Sequence, residues 1–374
     1  MSKRITKFAV NTMTLWWAVV AVAMFLSGYS GRQTPETMPL VTVLWLLFPI
    51  LVAANLIMLF LFLTFCKRRA WLPVAAFLLT FPPIRLYFPL HFGTPVYVSN
   101  PDGDTITVMS YNVQGFNGPG IVHDPESKNL AKIIEYLKRQ TPEILCLQEC
   151  MGDWRGYVKR LDSLYAHFDT VVVFRSKNVI NAVGIFTPHR ILKQERIFYP
   201  SQGNGSVAWV LKRGADTLLV VNNHFETNHL NKSVRQQYRN ILHGEETADS
   251  MREQTKNIMG ILGEQAVVRA PQARAVARYI DSVCYIHRDW LVIVCGDFNE
   301  SPISYTHYTI AKKLTDCYEE AGCGPGWSMQ AKAFPVRIDN ILCNRRLKPL
   351  DCKVDRSLAA SDHYPIRATL EIQR

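Results

Sequence analysis

The sequence predicts an α+β protein: a four-layer α/β/β/α sandwich of two mixed sheets, preceded by N-terminal transmembrane helices. Three observations carry that expectation. Residues 8–92 are overwhelmingly apolar, whereas residues 98–374 mix charged, polar and apolar side chains as soluble domains do. Within the second part, strand-like runs follow one another directly and helix-like runs fall between groups of them, unlike the strict alternation of a doubly wound sheet. That part is also long enough to enclose a large core. The expected division is a membrane segment over 1–97 and a globular domain over 98–374.

Three apolar stretches are weighed against the ~20 residues needed to cross a bilayer. Residues 8–29 carry a Trp pair and no charge, and residues 40–65 are 26 residues without a charge. Residues 71–92 contain Pro82, Pro83 and Arg85, so this stretch either spans or lies in the interface. Lys3, Arg4 and Lys7 place the N-terminus in the cytoplasm, and Lys67, Arg68 and Arg69 do the same for the loop after the second stretch. A spanning third stretch then puts the globular domain outside the cytoplasm, at the inner (plasma) membrane; a non-spanning one leaves it in the cytosol. A cleaved signal peptide is the alternative for the first stretch, but a second long span follows and no small-x-small cleavage pattern closes the first.

Charge and cysteine narrow the function classes. Residues 1–97 hold eight Lys or Arg and one acid, leaving 34 basic and 30 acidic residues, so the net charge of +11 divides as +7 and +4. The basic balance is therefore mainly a topology signal, and a dense basic face for a polyanion is not indicated. The nine cysteines lack zinc spacing. Cys146, Cys150, Cys284 and Cys295 lie in or beside apolar runs and read as core thiols; Cys317 and Cys323 are a candidate bridge in an oxidising compartment.

After a connector over 94–104, strands are expected over 105–110, 144–148, 169–174, 182–187, 206–212, 217–222, 291–295 and 337–343, with a last strand after 363. Amphipathic helices are expected over 129–139 and 271–284. Residues 230–270 read as a charged helical insert, since a structureless loop of that length is improbable. Its Lys232, Arg235, Arg239, Arg252, Lys256 and Arg269, with Arg274 beyond, are interleaved with acids and read as a mixed solvated surface; Arg274 is placed facing the cleft.

Polar residues recur at strand ends: Ser110-Tyr111-Asn112, Leu147-Gln148-Glu149, Asn222-Asn223-His224, Gly296-Asp297-Phe298-Asn299, Asp339 within Arg337–Leu342, and Ser361-Asp362-His363. Singly, each is an ordinary turn or a solvated charge. Jointly, two carboxamides, four carboxylates and two histidines at the ends of apolar runs describe one cleft.

The motifs SYNVQG, LCLQE, VNNHFE, VCGDFN, RIDNIL and SDHYPI, from Ser110 to Ile366, resemble the endonuclease/exonuclease/phosphatase superfamily. That superfamily includes deoxyribonuclease I, abasic-site endonucleases, neutral sphingomyelinases, inositol polyphosphate 5-phosphatases and deadenylases. The resemblance implies a divalent-metal-dependent phosphodiesterase acting on nucleic acid or phospholipid, with Mg²⁺ as cofactor and Mn²⁺ as a substitute. It implies Asn112, Glu149 and Asp362 as metal ligands. His363 acts at the phosphate, oriented by Asp339; Asp297 orients or deprotonates water; Asn299 and His224 donate to phosphate or leaving-group oxygens. Gln114 stands where abasic-site endonucleases carry a carboxylate, and Phe298 is expected in the core. A membrane-tethered binding protein that keeps the fold without the chemistry is the alternative.

Overall fold

The computed structural model describes residues 3–92, 104–116, 128–150, 161, 165, 167–176, 179–228, 234, 236, 237, 240, 247–330 and 335–374. Most of the connector at 94–104, and Lys232, Arg235 and Arg239 of the insert, lie outside the described residues.

Twelve strands form two six-stranded mixed sheets. The first has the order β11(Leu347–Val354), β12(Ile366–Ile372), β1(Thr105–Asn112), β2(Ile144–Gln148), β4(Val179–Thr187), β3(His167–Ser176). The second runs β5(Arg190–Ile197), β6(Gly205–Arg213), β7(Asp216–His224), β8(Leu291–Asp297), β10(Asp339–Cys343), β9(Thr315–Asp316). β1–β2 and β7–β8 are the parallel pairs at the centre of the two sheets. The sheets face each other across a core containing Val108, Cys146, Trp209, Val220, Ile293 and Ile341. Helix α6 (Lys128–Gln140) covers the outer face of the first sheet, and α7 (Ala248–Ile286) that of the second. The α/β/β/α layering follows from the sequence because alternate residues of each central strand are apolar on both faces.

That alternation also places the site. On β1 the inward row is Ile106, Val108, Ser110, Asn112, whereas Met109 and Tyr111 pack beneath α6. On β7 it is Leu218, Val220, Asn222, His224; on β8 Leu291, Ile293, Cys295, Asp297; on β10 Cys343, Ile341, Asp339. Each row is apolar in the middle of the sandwich and polar at the same end. The inter-sheet core therefore opens into one buried polar cluster, with Gln148 bonding Ser110 and Asn222 just below it (3.0 and 2.6 Å).

Gly296 makes the turn out of β8 possible. Its φ is +128°, and a Cβ there would stand 2.0 Å from the Asn223 carbonyl oxygen of the paired strand. Gly296→Ala is expected to cost about 2–3 kcal/mol through backbone strain and steric displacement, read as a lower melting temperature of the full chain in detergent.

The N-terminal segment comprises α1 (Lys3–Gly28), α2 (Pro39–Thr42), α3 (Phe48–Phe65), α4 (Trp71–Leu79) and α5 (Phe81–Tyr87). Two stretches, Lys7–Gly28 and Pro39–Phe65, are long and apolar enough to cross a membrane; Lys67–Leu79 and Phe81–Tyr87, bent by 64° at Thr80 just before the proline pair, are apolar enough only as a pair, as one broken span or a re-entrant loop. Trp16 (63%), Phe60 (68%) and Leu78 (70%) leave large apolar surfaces exposed on these helices. Buried Asn55 ties three of them together by accepting from Trp17 Nε1 and donating to the Pro73 carbonyl, both 3.1 Å, an economical use of a polar group among apolar helices.

This segment packs on the sandwich. Met24, Trp45, Phe48 and Tyr87 share a cluster with Ile303, Val336 and Ile338, and Arg85 pairs with Glu320 at 2.7 Å. Gly31 lies so close to Ile303 and Ser304 that a Cβ would be 2.3 Å from the Ile303 carbonyl.

Several sequence expectations need correction. The helix expected from residue 271 begins at Ala248, where the Thr247 side chain accepts from the Ser250 N–H, and Pro271 lies inside it. Arg274 does not face the cleft; it pairs with Glu36 of the N-terminal segment and bonds the Tyr305 hydroxyl. All nine cysteines are free, with Cys317 buried and Cys323 exposed, so these two are not bridged. The strand expected from Arg337 starts at Asp339, because Arg337 is drawn into a buried ion pair with Asp316.

Candidate active site

All eight candidate residues border the polar end of the inter-sheet core. Asn112 bridges two carboxylates, donating through Nδ2 to Glu149 Oε1 and Asp297 Oδ2, each 3.1 Å, while its Oδ1 accepts from the Gln114 N–H. The amide nitrogen therefore faces the acids. His224 Nε2 stands 3.6 Å from Glu149 Oε1 and 3.7 Å from Asp297 Oδ2. His363 Nε2 lies 3.7 Å from the same Asp297 oxygen and 4.0 Å from Asp362 Oδ1, and its Nδ1 is 2.8 Å from Asp339 Oδ2. Asp297 Oδ1 accepts from the Asn299 N–H at 2.8 Å, and Asn299 Nδ2 donates to the Phe225 carbonyl at 2.9 Å.

The backbone is bent to make this convergence. Gln114, Glu149 and Asn299 have φ of 47°, 51° and 53°, a region that side chains other than glycine rarely adopt. Such conformations persist where surrounding bonds hold them. Around Glu149 these are Gly115 N–H to Glu149 O (2.9 Å) and Cys150 N–H to Ala182 O (3.2 Å).

The two histidines differ electrostatically. Burial lowers the pKa of His224, against the pull of Asp297, and keeps the ring neutral. Its tautomer is set by Asn181: the Asn181 Oδ1 accepts from the Ala182 N–H, which turns Nδ2 toward His224 Nδ1 at 3.0 Å. Nε2 then carries the proton, makes no hydrogen bond, and points between Glu149 and Asp297. For His363, burial pulls the pKa down, but Asp339, Asp297 and Asp362 outweigh it and raise the pKa well above the usual value. Burial pushes Asp297 up to about 6, and burial with the Asp362 charge raises Glu149. Asp362 and Glu149 thus sense one another across a common cleft.

A family model described as the Endonuclease/Exonuclease/phosphatase family matches residues 109–363. The chain belongs to this family. A second model, described as a domain of unknown function, matches residues 11–87. Similar solved structures include an endonuclease/exonuclease/phosphatase from Beutenbergia cavernae DSM 12333, with a TM-score of 0.52 and 15% identity over 72% of each chain. The human Nocturnin catalytic domain with a bound sulfate anion gives a TM-score of 0.51 and 15% identity over 75% of this chain and 97% of that one. Selenomethionine TDP2 from Caenorhabditis elegans gives 0.50 and 17% over 74% of this chain and 77% of that one. These likenesses establish the fold. A sequence comparison with curated proteins gave no match.

Members of the endonuclease/exonuclease/phosphatase family are typically hydrolytic nucleases or phosphatases and generally use a divalent metal. The donor set fits a hard cation: carboxylate oxygens dominate, and the Glu149 and Asp362 side chains retain 28% and 20% exposure, which leaves room for the waters such an ion keeps. Asp297, Asp339 and His363 also bring one donor atom each within 4.8 Å of one another. Those atoms are buried, and Asp339 and His363 already bond each other, so this group is better suited to proton handling than to a hydrated ion.

Sequence reasoning missed four supporting residues. Asn181 and Asn204 bond each other at 2.9 Å and fix His224. Ser361 donates to the Asn112 carbonyl at 2.8 Å, and Ser328 Oγ accepts from the Asp339 N–H at 3.0 Å. Asn181 carried a signal, as a lone carboxamide entering the apolar run of β4, and Ser361 stood in the Ser361-Asp362-His363 motif without a role of its own. Phe298 is in the core as expected, edge-on to Phe225 at 5.4 Å.

Proposed function

We propose that this protein is a membrane-anchored, metal-dependent phosphoesterase that hydrolyses a phosphodiester. The observation that carries this reading is the arrangement of a neutral His224 Nε2–H, a charged His363 and the Asp297 carboxylate around one partly open acidic cleft. Mg²⁺, or Mn²⁺ in its place, would be held principally by Glu149 with Asp362 contributing; Asn112 steadies Glu149 and Asp297 and joins only if its amide turns. When bound, such an ion neutralises phosphate charge and lowers the pKa of coordinated water.

The side chains supply the remainder. Asp297, with a pKa near neutrality, accepts the proton of the attacking water. His363, locked by Asp339, places positive charge beside the phosphate, and His224 donates from Nε2 to a phosphate or leaving-group oxygen. The second N–H of Asn299 would donate to a nonbridging oxygen. The water oxygen bonds to phosphorus, one ester P–O bond breaks, and the leaving oxygen, hydrogen-bonded by His224, departs as an alcohol with the proton that the water released to Asp297.

The division into a membrane segment over 1–97 and a catalytic domain over 98–374 belongs to this reading, as does an extracytoplasmic site at the inner membrane. It is supported by Arg69, which bonds Thr14 Oγ1 at 2.6 Å and Asn11 Oδ1 at 2.9 Å and so gathers the basic loop and the start of α1 at one end. The sandwich packs at the opposite end, where Gly31 just beyond α1 meets Ile303 and Ser304, as positive-inside topology requires of an external domain.

Full-length protein in detergent is expected to hydrolyse bis(p-nitrophenyl) phosphate with Mg²⁺, to lose that activity on chelation and to recover it with Mg²⁺ or Mn²⁺. Turnover indifferent to chelation would exclude the metal; no turnover under any metal would favour a tethered binding protein.

A further inference from the structure

The membrane helices do more than hold the sandwich near a bilayer, because they pack directly on the loops that carry the catalytic residues. Ile303, four residues beyond Asn299, and Val336 and Ile338, which lead into Asp339, sit in the cluster built by Met24, Trp45 and Phe48. Met329 packs against the same helices, and its backbone bridges to His363. Three catalytic segments therefore rest on the end of the membrane helices from which α2 emerges.

Beside this contact runs a groove of about 540 Å³ between α2 and the first half of α7. Its walls are Leu40 from α2 and Met251, Arg252, Lys256 and Met259 from α7. Leu40 is 53% exposed and continues the apolar surface of the membrane helices. Arg252 and Lys256 are exposed and four residues apart, so they project from one face of the helix. Met259, at one end of the groove, belongs to the same apolar cluster as Val43 and Met329, and the Met329 backbone bridges to His363.

An apolar floor continuous with the membrane, two cations at its edge and a catalytic centre beyond match an amphiphile whose chains stay in the bilayer and whose phosphate leaves it. A polyanion in solution needs a broad basic surface instead, and residues 98–374 carry a net charge of only +4. We infer that the substrate is a phospholipid resident in the bilayer, which reaches the catalytic centre along the groove between Leu40 and Arg252/Lys256. The inference rests on the phosphoesterase reading and names its substrate class. Hydrolysis consumes one water: its oxygen bonds to phosphorus, one P–O ester bond breaks and the proton goes to the leaving oxygen, giving an alcohol and a phosphate monoester.

The test uses full-length protein in mixed micelles of nonionic detergent and phosphatidylglycerol with Mg²⁺, with single-stranded DNA and bis(p-nitrophenyl) phosphate in parallel arms. Phosphatidylglycerol is expected to be cleaved faster than DNA, at a rate that falls as detergent dilutes it in the micelle surface at constant bulk concentration. Arg252→Ala/Lys256→Ala is expected to raise the KM measured in surface mole fraction roughly 10- to 30-fold. Cleavage of DNA at an equal or greater rate, or hydrolysis of the soluble diester with none of the lipid, overturns the lipid assignment alone. Failure of all three substrates overturns the phosphoesterase reading, and this inference with it.

Discussion

Replacing His363 with alanine is expected to lower kcat about 10²–10⁴-fold, the range spanned by positioned acid–base and charge-stabilising groups. The size of the effect follows from its surroundings. His363 is held by Asp339 at 2.8 Å and faces Asp297 and Asp362, so its removal deletes the positive charge nearest the site of reaction and leaves three carboxylates to repel a phosphate. Asp339→Asn separates orientation from charge: the ring stays, but its Nδ1 partner becomes a neutral amide that no longer favours the charged imidazole. That variant should lose kcat with a smaller change in KM, and the alkaline limb of its pH profile should move to lower pH, because the carboxylate that raises the His363 pKa is gone. Unchanged turnover of the alanine variant on bis(p-nitrophenyl) phosphate would remove His363 from the reaction.

The candidate site was legible in the sequence because period-2 alternation makes a polar residue at the end of an inward apolar row conspicuous. Ile293, Cys295, Asp297 on β8 and Val220, Asn222, His224 on β7 are such rows. The supporting shell was not legible. Ser328, Asn204 and Ser361 are ordinary loop residues by sequence, and their roles arise from contacts across 11 to 249 positions. Strands were missed where alternation is broken. β5, with Arg190, Lys193 and Gln194 exposed, slips register between Ile191 and Lys193, and β11 does so between Pro349 and Asp351. The start of α7 was misplaced because Pro271 resembles a first-turn proline, yet the charged run before it is helical too. The packing of the apolar N-terminal helices on the loops that carry the candidate residues has no signature in either segment read alone.

Asp316→Ala should have the largest effect on stability, about 3–5 kcal/mol, the usual cost of stranding a buried charge. Asp316 is buried at the junction of the sandwich and the apolar N-terminal segment. It accepts from Arg337 Nη2 at 2.9 Å and His307 Nε2 at 2.8 Å, and it caps the short helix α8 (Cys317–Ala321) through the N–H groups of Tyr318 and Glu319. Arg337, two residues before Asp339, also donates to the Leu86 carbonyl in the apolar N-terminal segment at 3.3 Å. Burial alone would raise the Asp316 pKa, but Arg337 and His307 outweigh it and hold the carboxyl well below the ordinary range. Because the folded value is depressed, its stabilising contribution is complete above the unfolded value of about 3.9 and fades as pH falls toward the folded one. The melting temperature of the alanine variant should therefore lie well below wild type at pH 7, with the gap narrowing below about pH 4. Adding Arg337→Met to Asp316→Asn should restore part of the loss, since a buried pair replaced by neutral groups leaves no charge stranded. If the double variant is less stable than either single one, the ion pair is not what holds this junction together.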